Sequence, residues 1–198
     1  MNEGSAAQHR PRYHHGDLPA TLVRTAIAML DADGDTHLSL RAVAREAGVS
    51  SAAPYRHFPD RRALLDAVSA VGFEDLMAAL GAEHPEPADA SQLADVGVAY
   101  VRFALGRPGL FRVMFLGEGG RTEPARRRIT EQIHAHLDAV VQRVFAVEEP
   151  TPVTTGLWAL VHGMACLYLY GNLVPATGDE IDERVRTTVA ATVGVRTR

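Results

Sequence analysis

Apolar residues in this chain recur every three or four positions, the spacing that places them on one face of an α-helix. The first such stripe consists of Leu18, Leu22, Ala26, Met29 and Leu30. Asp17 precedes it as a helix cap, and Asp33 followed by Gly34 is a signal that ends it. Further stripes cover residues 60–80, 91–105, 110–116, 123–147, 153–173 and 179–195. Because we find no alternation typical of strands, the pattern predicts an all-α fold of about nine helices.

Residues 38–58 have the pattern of a helix-turn-helix, two short helices joined by a tight turn. Ser39 is a suitable N-cap for the first helix. The apolar residues of that helix fall on one face: Leu40, Val43, Ala44 and Ala47. Gly48 follows where a left-handed residue commonly ends a helix. We predict that Ser50 or Ser51 caps the second helix.

The second helix of such a unit lies in the major groove of DNA, with its N-terminal residues facing base edges. Those residues are short here: Ser50, Ser51, Ala52 and Ala53. The side chains that follow suit phosphate oxygens, which fix position rather than sequence: Tyr55, Arg56 and His57. Pro54 is tolerated because the first turn of a helix leaves its N–H groups without partners. Arg41 is a further candidate for a base or phosphate, and Arg61 and Arg62 for the flanking backbone.

The net charge of −4 excludes nucleic-acid binding through bulk positive charge. Residues 39–62 nevertheless hold five Arg against two acidic residues, a local excess of +3. This excess favours a local contact with DNA, although an ordinary solvated helix face would show the same charges. All 20 basic residues of the chain are Arg, which we attribute to compositional bias.

The remaining composition indicates a cytoplasmic protein. Its 198 residues allow a substantial core, and the single cysteine, Cys166, excludes an intrachain disulfide. The N-terminus lacks the apolar stretch of a signal peptide. The most apolar run, residues 157–170, has 14 residues. A membrane span needs about 20, so we predict a buried helix and no membrane partner.

Three segments resemble the DNA-binding region of TetR/AcrR-type transcriptional regulators. They are residues 13–18 (Tyr-His-His-Gly-Asp-Leu), residues 48–50 (Gly-Val-Ser) and residues 55–65 (Tyr-Arg-His-Phe-Pro-Asp-Arg-Arg-Ala-Leu-Leu). The resemblance implies a homodimeric all-α repressor whose DNA affinity falls when a small molecule enters its C-terminal domain. Residues that match DNA-contacting positions of the family are Arg41, Ser51, Ala53, Tyr55, His57 and Arg61. Many members carry Thr-Leu where this chain has Ala53 and Pro54, so one hydroxyl is lost.

The C-terminal half carries aromatic and sulfur-containing residues at helical spacing. Candidate ligand-binding residues are Phe73, Met77, Tyr100, Phe103, Phe111, Met114, Phe115, Trp158 and His162. Core packing is the alternative for each of them. Residues 158–163 (Trp-Ala-Leu-Val-His-Gly) resemble a C-terminal signature, Trp-His-Gly, of a subset of these regulators. His162 could bond a polar group of an apolar or aromatic effector, or be a core histidine satisfied by a neighbour.

These patterns divide the chain into a disordered tail (residues 1–12), a DNA-binding domain (13–60) and a ligand-binding and dimerisation domain (61–198). Residues 81–89, with two prolines and three acidic residues, are predicted to form a surface linker. The last two helices would form a dimer interface, which requires a near-palindromic DNA operator. We hypothesise that a ligand moves the helix at residues 60–80 and so disturbs the spacing of the two DNA-binding units.

An enzyme is the main alternative class, but the sequence has no Gly-x-Ser-x-Gly, phosphate-binding glycine loop or Cys-x-x-Cys. His134 and His136 are two residues apart on a helix, which suits a shared metal poorly. We therefore predict no cofactor, no metal and no catalytic residue. An adaptor or small-molecule-binding protein of the same fold, without specific DNA binding, stays open as an alternative.

Overall fold

The computed structural model of the protein describes residues 17–33, 38–115, 124–174 and 177–194. Eight α-helices lie in these ranges: α1 (Leu18–Asp33), α2 (Leu40–Glu46), α3 (Arg61–Glu83), α4 (Ala90–Gly106), α5 (Pro108–Phe115), α6 (Pro124–Phe145), α7 (Pro150–Leu169) and α8 (Gly178–Gly194). A 3₁₀ helix (Pro54–Arg56) follows α2. Because these ranges contain no strand, the all-α prediction is confirmed. The tail at residues 1–12 and the lead-in at 13–16 lie outside the described residues.

Polar side chains cap the helices where the sequence places them. The Ala42 N–H donates to the Ser39 hydroxyl oxygen at 3.1 Å, which starts α2 as predicted. The Ala63 N–H donates in the same way to the Asp60 carboxylate at 2.9 Å, at the start of α3. Each cap satisfies a backbone donor that has no partner within the helix.

Proline explains two of the differences between the predicted and the observed boundaries. The linker predicted from residue 81 begins only after Glu83, the last residue of α3. His84 precedes Pro85 and has extended backbone angles (φ −142°, ψ 102°), since a residue before proline disfavours the α conformation. Helix α7 begins at Pro150 rather than at residue 153, because prolines fit a first turn whose N–H groups need no partner.

Helix α4 lies at the centre of the C-terminal half and contacts α3, α7 and α8, while α6 packs on α3 and α7. Helix α1 packs on α3 and α5, so the N-terminal helices share one continuous core with the rest of the described chain. Helix α7 is long and apolar enough to cross a membrane, but the core helices of soluble proteins often have the same length and composition. Only 28% of the apolar stretch of α7 is buried, so much of this helix faces outward.

Gly109 sets the distance between α1 and α5. A Cβ atom at this position would come within 2.4 Å of the Leu30 carbonyl oxygen, a backbone atom that cannot move aside alone. We therefore expect Gly109→Ala to lower the free energy of unfolding by about 1–3 kcal/mol, measured by chemical denaturation. The control is Gly106→Ala, because a Cβ atom there meets nothing within 4 Å. Equal stability of the two variants would contradict this close approach.

Candidate functional site

The turn of the helix-turn-helix has the backbone that the sequence predicts. Gly48 lies in the left-handed region with φ +69°, where a side chain would be strained. Its N–H donates to the Arg45 carbonyl at 3.1 Å, and the Val49 N–H donates to the Ala44 carbonyl at 2.9 Å. These bonds close α2 and direct the chain towards the second helix.

The second helix is tighter and shorter than predicted. It is a single 3₁₀ turn over Pro54–Arg56, preceded by a turn in which the Ala53 N–H donates to the Ser50 carbonyl at 2.9 Å. The prediction of a serine cap is wrong, because the capping position is Ala53 and no side chain bonds the helix end there. Pro54 does lie in the first turn, where it is buried.

Most of the predicted DNA-contacting residues are exposed in α2, the turn and the second helix. The exposed ones are Arg41, Ser50, Ser51, Ala52, Tyr55, Arg56 and His57, and the Tyr55 side chain is 49% exposed. Ala53 is only half-buried and has no polar group. These exposed side chains supply hydroxyls, two guanidinium groups and an imidazole, and the second helix itself has no acidic residue.

Arg61 differs from the other candidates because it is half-buried at the start of α3. Its Nε donates to the Leu38 carbonyl oxygen at 2.7 Å. The bond joins α3 to the residue that precedes α2, so Arg61 holds the helix-turn-helix against the next helix. This tertiary partner is 23 residues away and gives no local sequence signal.

A cavity of about 460 Å³ lies among the helices of the C-terminal half. Six of the nine predicted ligand-binding residues line it: Phe73, Met77, Tyr100, Phe115, Trp158 and His162. The other lining residues come mainly from α3, α4, α6 and α7: Leu76, Leu80, Leu93, Val96, Gly97, Ile133, His134, Leu137, Val141, Thr154, Leu157, Val161 and Val189. The contribution of α6 could have been found from the spacing of Ile133, Leu137 and Val141, which places them on one face. A volume of this size suits a small organic ligand.

The other three predicted ligand-binding residues do not line the cavity, because their side chains are used in the core. Phe111 and Met114 are fully buried, and Met114 lies against Gly72 of α3. Phe103 is also buried, with the Arg107 guanidinium 5.8 Å from its ring centroid. Phe111 nevertheless packs against a cavity residue, since its ring stacks on the His162 ring with the centroids 5.4 Å apart.

The polar groups at one end of the cavity are Tyr100 and His162, which bond each other at 2.8 Å between the hydroxyl and Nδ1. Burial lowers the pKa of His162 and raises the pKa of Tyr100, so both side chains are neutral near pH 7. The described lining contains no Asp, Glu or Arg. His162 is thus bonded to a neighbour, as a core histidine would be, and it also faces the cavity, as a ligand-binding residue would.

Arg107 connects the C-terminal half to the N-terminal helices at the break between α4 and α5. Its guanidinium forms ion pairs with Asp31 of α1 at 2.8 Å and with Asp75 of α3 at 2.6 Å. Helix α5 follows at once, and its last residue, Phe115, lies 4.8 Å from the His162 ring. The sequence analysis missed this role, because the two acidic partners are 76 and 32 residues away.

The described part of the chain contains no group of three His, Cys, Asp or Glu side chains that could hold a metal ion. His134 packs edge-on against Trp158 at 5.3 Å and lines the cavity, whereas His136 lines a separate small cleft. Cys166 is half-buried, and burial raises the pKa of its thiol, which disfavours the reactive thiolate.

Two family models match the chain. Residues 22–68 match the bacterial regulatory proteins of the tetR family, and residues 93–192 match the tetracyclin repressor-like C-terminal domain. No protein of curated function matches the sequence.

Solved structures share the fold over nearly the whole chain. A protein of unknown function from Rhodococcus sp. RHA1 is 32% identical, with a TM-score of 0.77 over 92% of this chain and 98% of that chain. The fatty acid degradation regulator FadR from Bacillus halodurans is 13% identical, with a TM-score of 0.70 over 94% and 100%. The multidrug binding protein EbrR, solved with imidazole, is 20% identical, with a TM-score of 0.61 over 90% and 96%.

Proposed function

This chain belongs to the TetR family of DNA-binding transcriptional regulators, and we propose that it is a repressor released from its operator by a small molecule. The observation that carries the proposal is the course of α3. The helix lines the cavity through Phe73, Leu76 and Met77, and it begins at Arg61, which is bonded to the helix-turn-helix. A change in the cavity would therefore shift the start of α3, where the DNA-binding unit is attached.

Operator binding is assigned to the exposed surface around the 3₁₀ helix. Ser50, Ser51 and Ala52 would face base edges, while Tyr55, Arg56 and His57 would contact phosphates together with Arg41 of α2. Arg61 would act indirectly, by holding the unit in place through Leu38. Ala53 would contribute at most an apolar contact.

A homodimer through α7 and α8 is the proposed assembly, and regulators of this family act as dimers. Three large apolar side chains at the end of α7 and just beyond it are exposed in the monomer: Leu167 (43%), Tyr170 (56%) and Val174 (79%). An apolar surface of this kind is typical of a subunit interface. A two-fold dimer would place its recognition units about 34 Å apart on a near-palindromic operator.

The proposed coupling runs through α3 and α5, which both contact the cavity and the N-terminal helices. Helix α5 presents Phe115 to the cavity and packs through Gly109 on the backbone of α1. Arg107 adds ion pairs to α1 and α3. A ligand that displaces Phe115 or Phe73 would tilt these helices and change the spacing of the recognition units.

Fluorescence anisotropy with labelled DNA from upstream of the protein's own gene tests the regulator against the adaptor alternative. We expect sequence-selective binding that weakens steeply with salt, because phosphate contacts release counterions. Binding that is absent, or equal for unrelated DNA of the same length, would favour an adaptor of the same fold.

Two substitutions should separate the roles of Tyr55 and Ser51. Tyr55→Phe removes only a phosphate-facing hydroxyl, so affinity should fall about fivefold for all operator variants alike. Ser51→Ala should instead change which base is preferred at one position. Both are measured on a panel of single-base operator variants, with Ser91→Ala, which removes an exposed hydroxyl at the start of α4 outside both proposed surfaces, as the control. The opposite pattern would reverse the assignment.

A further inference from the structure

The hydrogen bond between Tyr100 and His162 suits the tautomer of His162 that carries its proton on Nε2. Burial raises the pKa of Tyr100, so the phenol keeps its proton near pH 7. The phenol O–H can therefore donate to His162 Nδ1, 2.8 Å away. With the phenol as the donor, the one N–H of the neutral imidazole is on Nε2.

The Nε2–H group of His162 has no hydrogen-bond acceptor within the described ranges, where Tyr100 is the only residue bonded to this ring. The imidazole is surrounded by the rings of Phe111, Phe115 and Trp158, at centroid distances of 5.4, 4.8 and 5.9 Å. These neighbours offer no acceptor, although a half-buried donor gains from one. His162 therefore presents a donor to a cavity whose lining is mainly apolar.

We propose that the cavity selects an uncharged, mainly apolar or aromatic molecule with one hydrogen-bond acceptor, a carbonyl or ether oxygen, which binds the Nε2–H of His162. This inference rests on the proposed function and names its effector class. A carboxylate is disfavoured because no Arg or Lys lies in the described lining to offset its desolvation. A hydrocarbon of the same shape leaves the donor unsatisfied.

Three probes of similar size test the selection: valerophenone, pentylbenzene and 4-butylbenzoate. Valerophenone differs from pentylbenzene only by a carbonyl in place of a methylene group. Calorimetry should show valerophenone binding about tenfold more tightly than pentylbenzene, the value of one added hydrogen bond. The benzoate should bind most weakly. Equal affinities for the ketone and the hydrocarbon, or no binding of any probe, would overturn the inference.

Variants of His162 assign the preference to its N–H group. His162→Leu should abolish the tenfold preference while pentylbenzene still binds, whereas His162→Gln, which keeps an N–H donor, should retain part of it. Thr154→Val is the control, since Thr154 lines the same cavity two helical turns away. A preference that survives in His162→Leu would contradict the assignment.

The failure of this inference differs from the failure of the proposed function. Operator binding is measured without any probe, so a lost ketone preference leaves DNA recognition intact. Conversely, a protein that selects the ketone but binds no operator would support the cavity chemistry and reject the regulator.

Discussion

Replacing Leu167 by Asp should convert the protein to a monomer and weaken operator binding at least about hundredfold. The side chain is 43% exposed on α7, where an aspartate would place an uncompensated charge within the proposed dimer interface. A dimer joins two half-site contacts, and this linkage multiplies affinity by about 10²–10⁴. Light scattering measures the mass, and anisotropy with operator DNA measures the affinity.

Ala82→Asp is the control for charge, because it adds the same carboxylate at an exposed position of α3, outside the proposed interface. Its mass and operator affinity should match those of the unaltered protein. A dimeric Leu167→Asp variant would place the interface on another surface, and a monomeric variant with full affinity would remove the need for a dimer.

Replacing Arg107 by Met should leave operator binding and ligand binding nearly unchanged while removing most of the effect of one on the other. The substitution keeps an apolar stem over Phe103 but loses the ion pairs with Asp31 and Asp75. Coupling free energies are typically about 1–3 kcal/mol, and we expect less than about 0.5 kcal/mol to remain. Operator affinity with and without a bound ligand gives the value directly.

Arg102→Met is the control, since Arg102 lies near the end of α4, just before Arg107, and pairs with Asp182 of α8 instead. This variant should retain the coupling. Full coupling in Arg107→Met would mean that the ion pairs are not needed and that the packing of α3 and α5 carries the effect.

Local signals were sufficient to predict the helices and the turn of the DNA-binding unit. Ser39 and Asp60 cap the helices that follow them, and Gly48 adopts the left-handed backbone expected of it. These features depend on neighbours within a few residues, which a single sequence records. The tight geometry of the second helix was missed, because the sequence pattern does not distinguish a 3₁₀ turn from an α-helix when Pro54 begins it.

The cavity could be predicted only in part. The spacing of aromatic residues indicated which of them face inward, but inward-facing residues can lie either in the core or in the cavity wall. Only tertiary packing places Phe73 in the cavity wall and Phe103 in the core. The bond of Tyr100 to His162 joins residues that are 62 positions apart. The ion pairs of Arg107 likewise depend on the arrangement of whole helices, which no local pattern specifies.

The measurement that tests the account most directly is operator affinity with the cavity empty and with it filled. The ligand is a compound whose binding has been established by calorimetry and is weakened by His162→Leu. The account predicts that a saturating concentration raises the operator Kd by about 5- to 150-fold, the usual range of allosteric coupling. An operator Kd that stays the same with the cavity filled would contradict it.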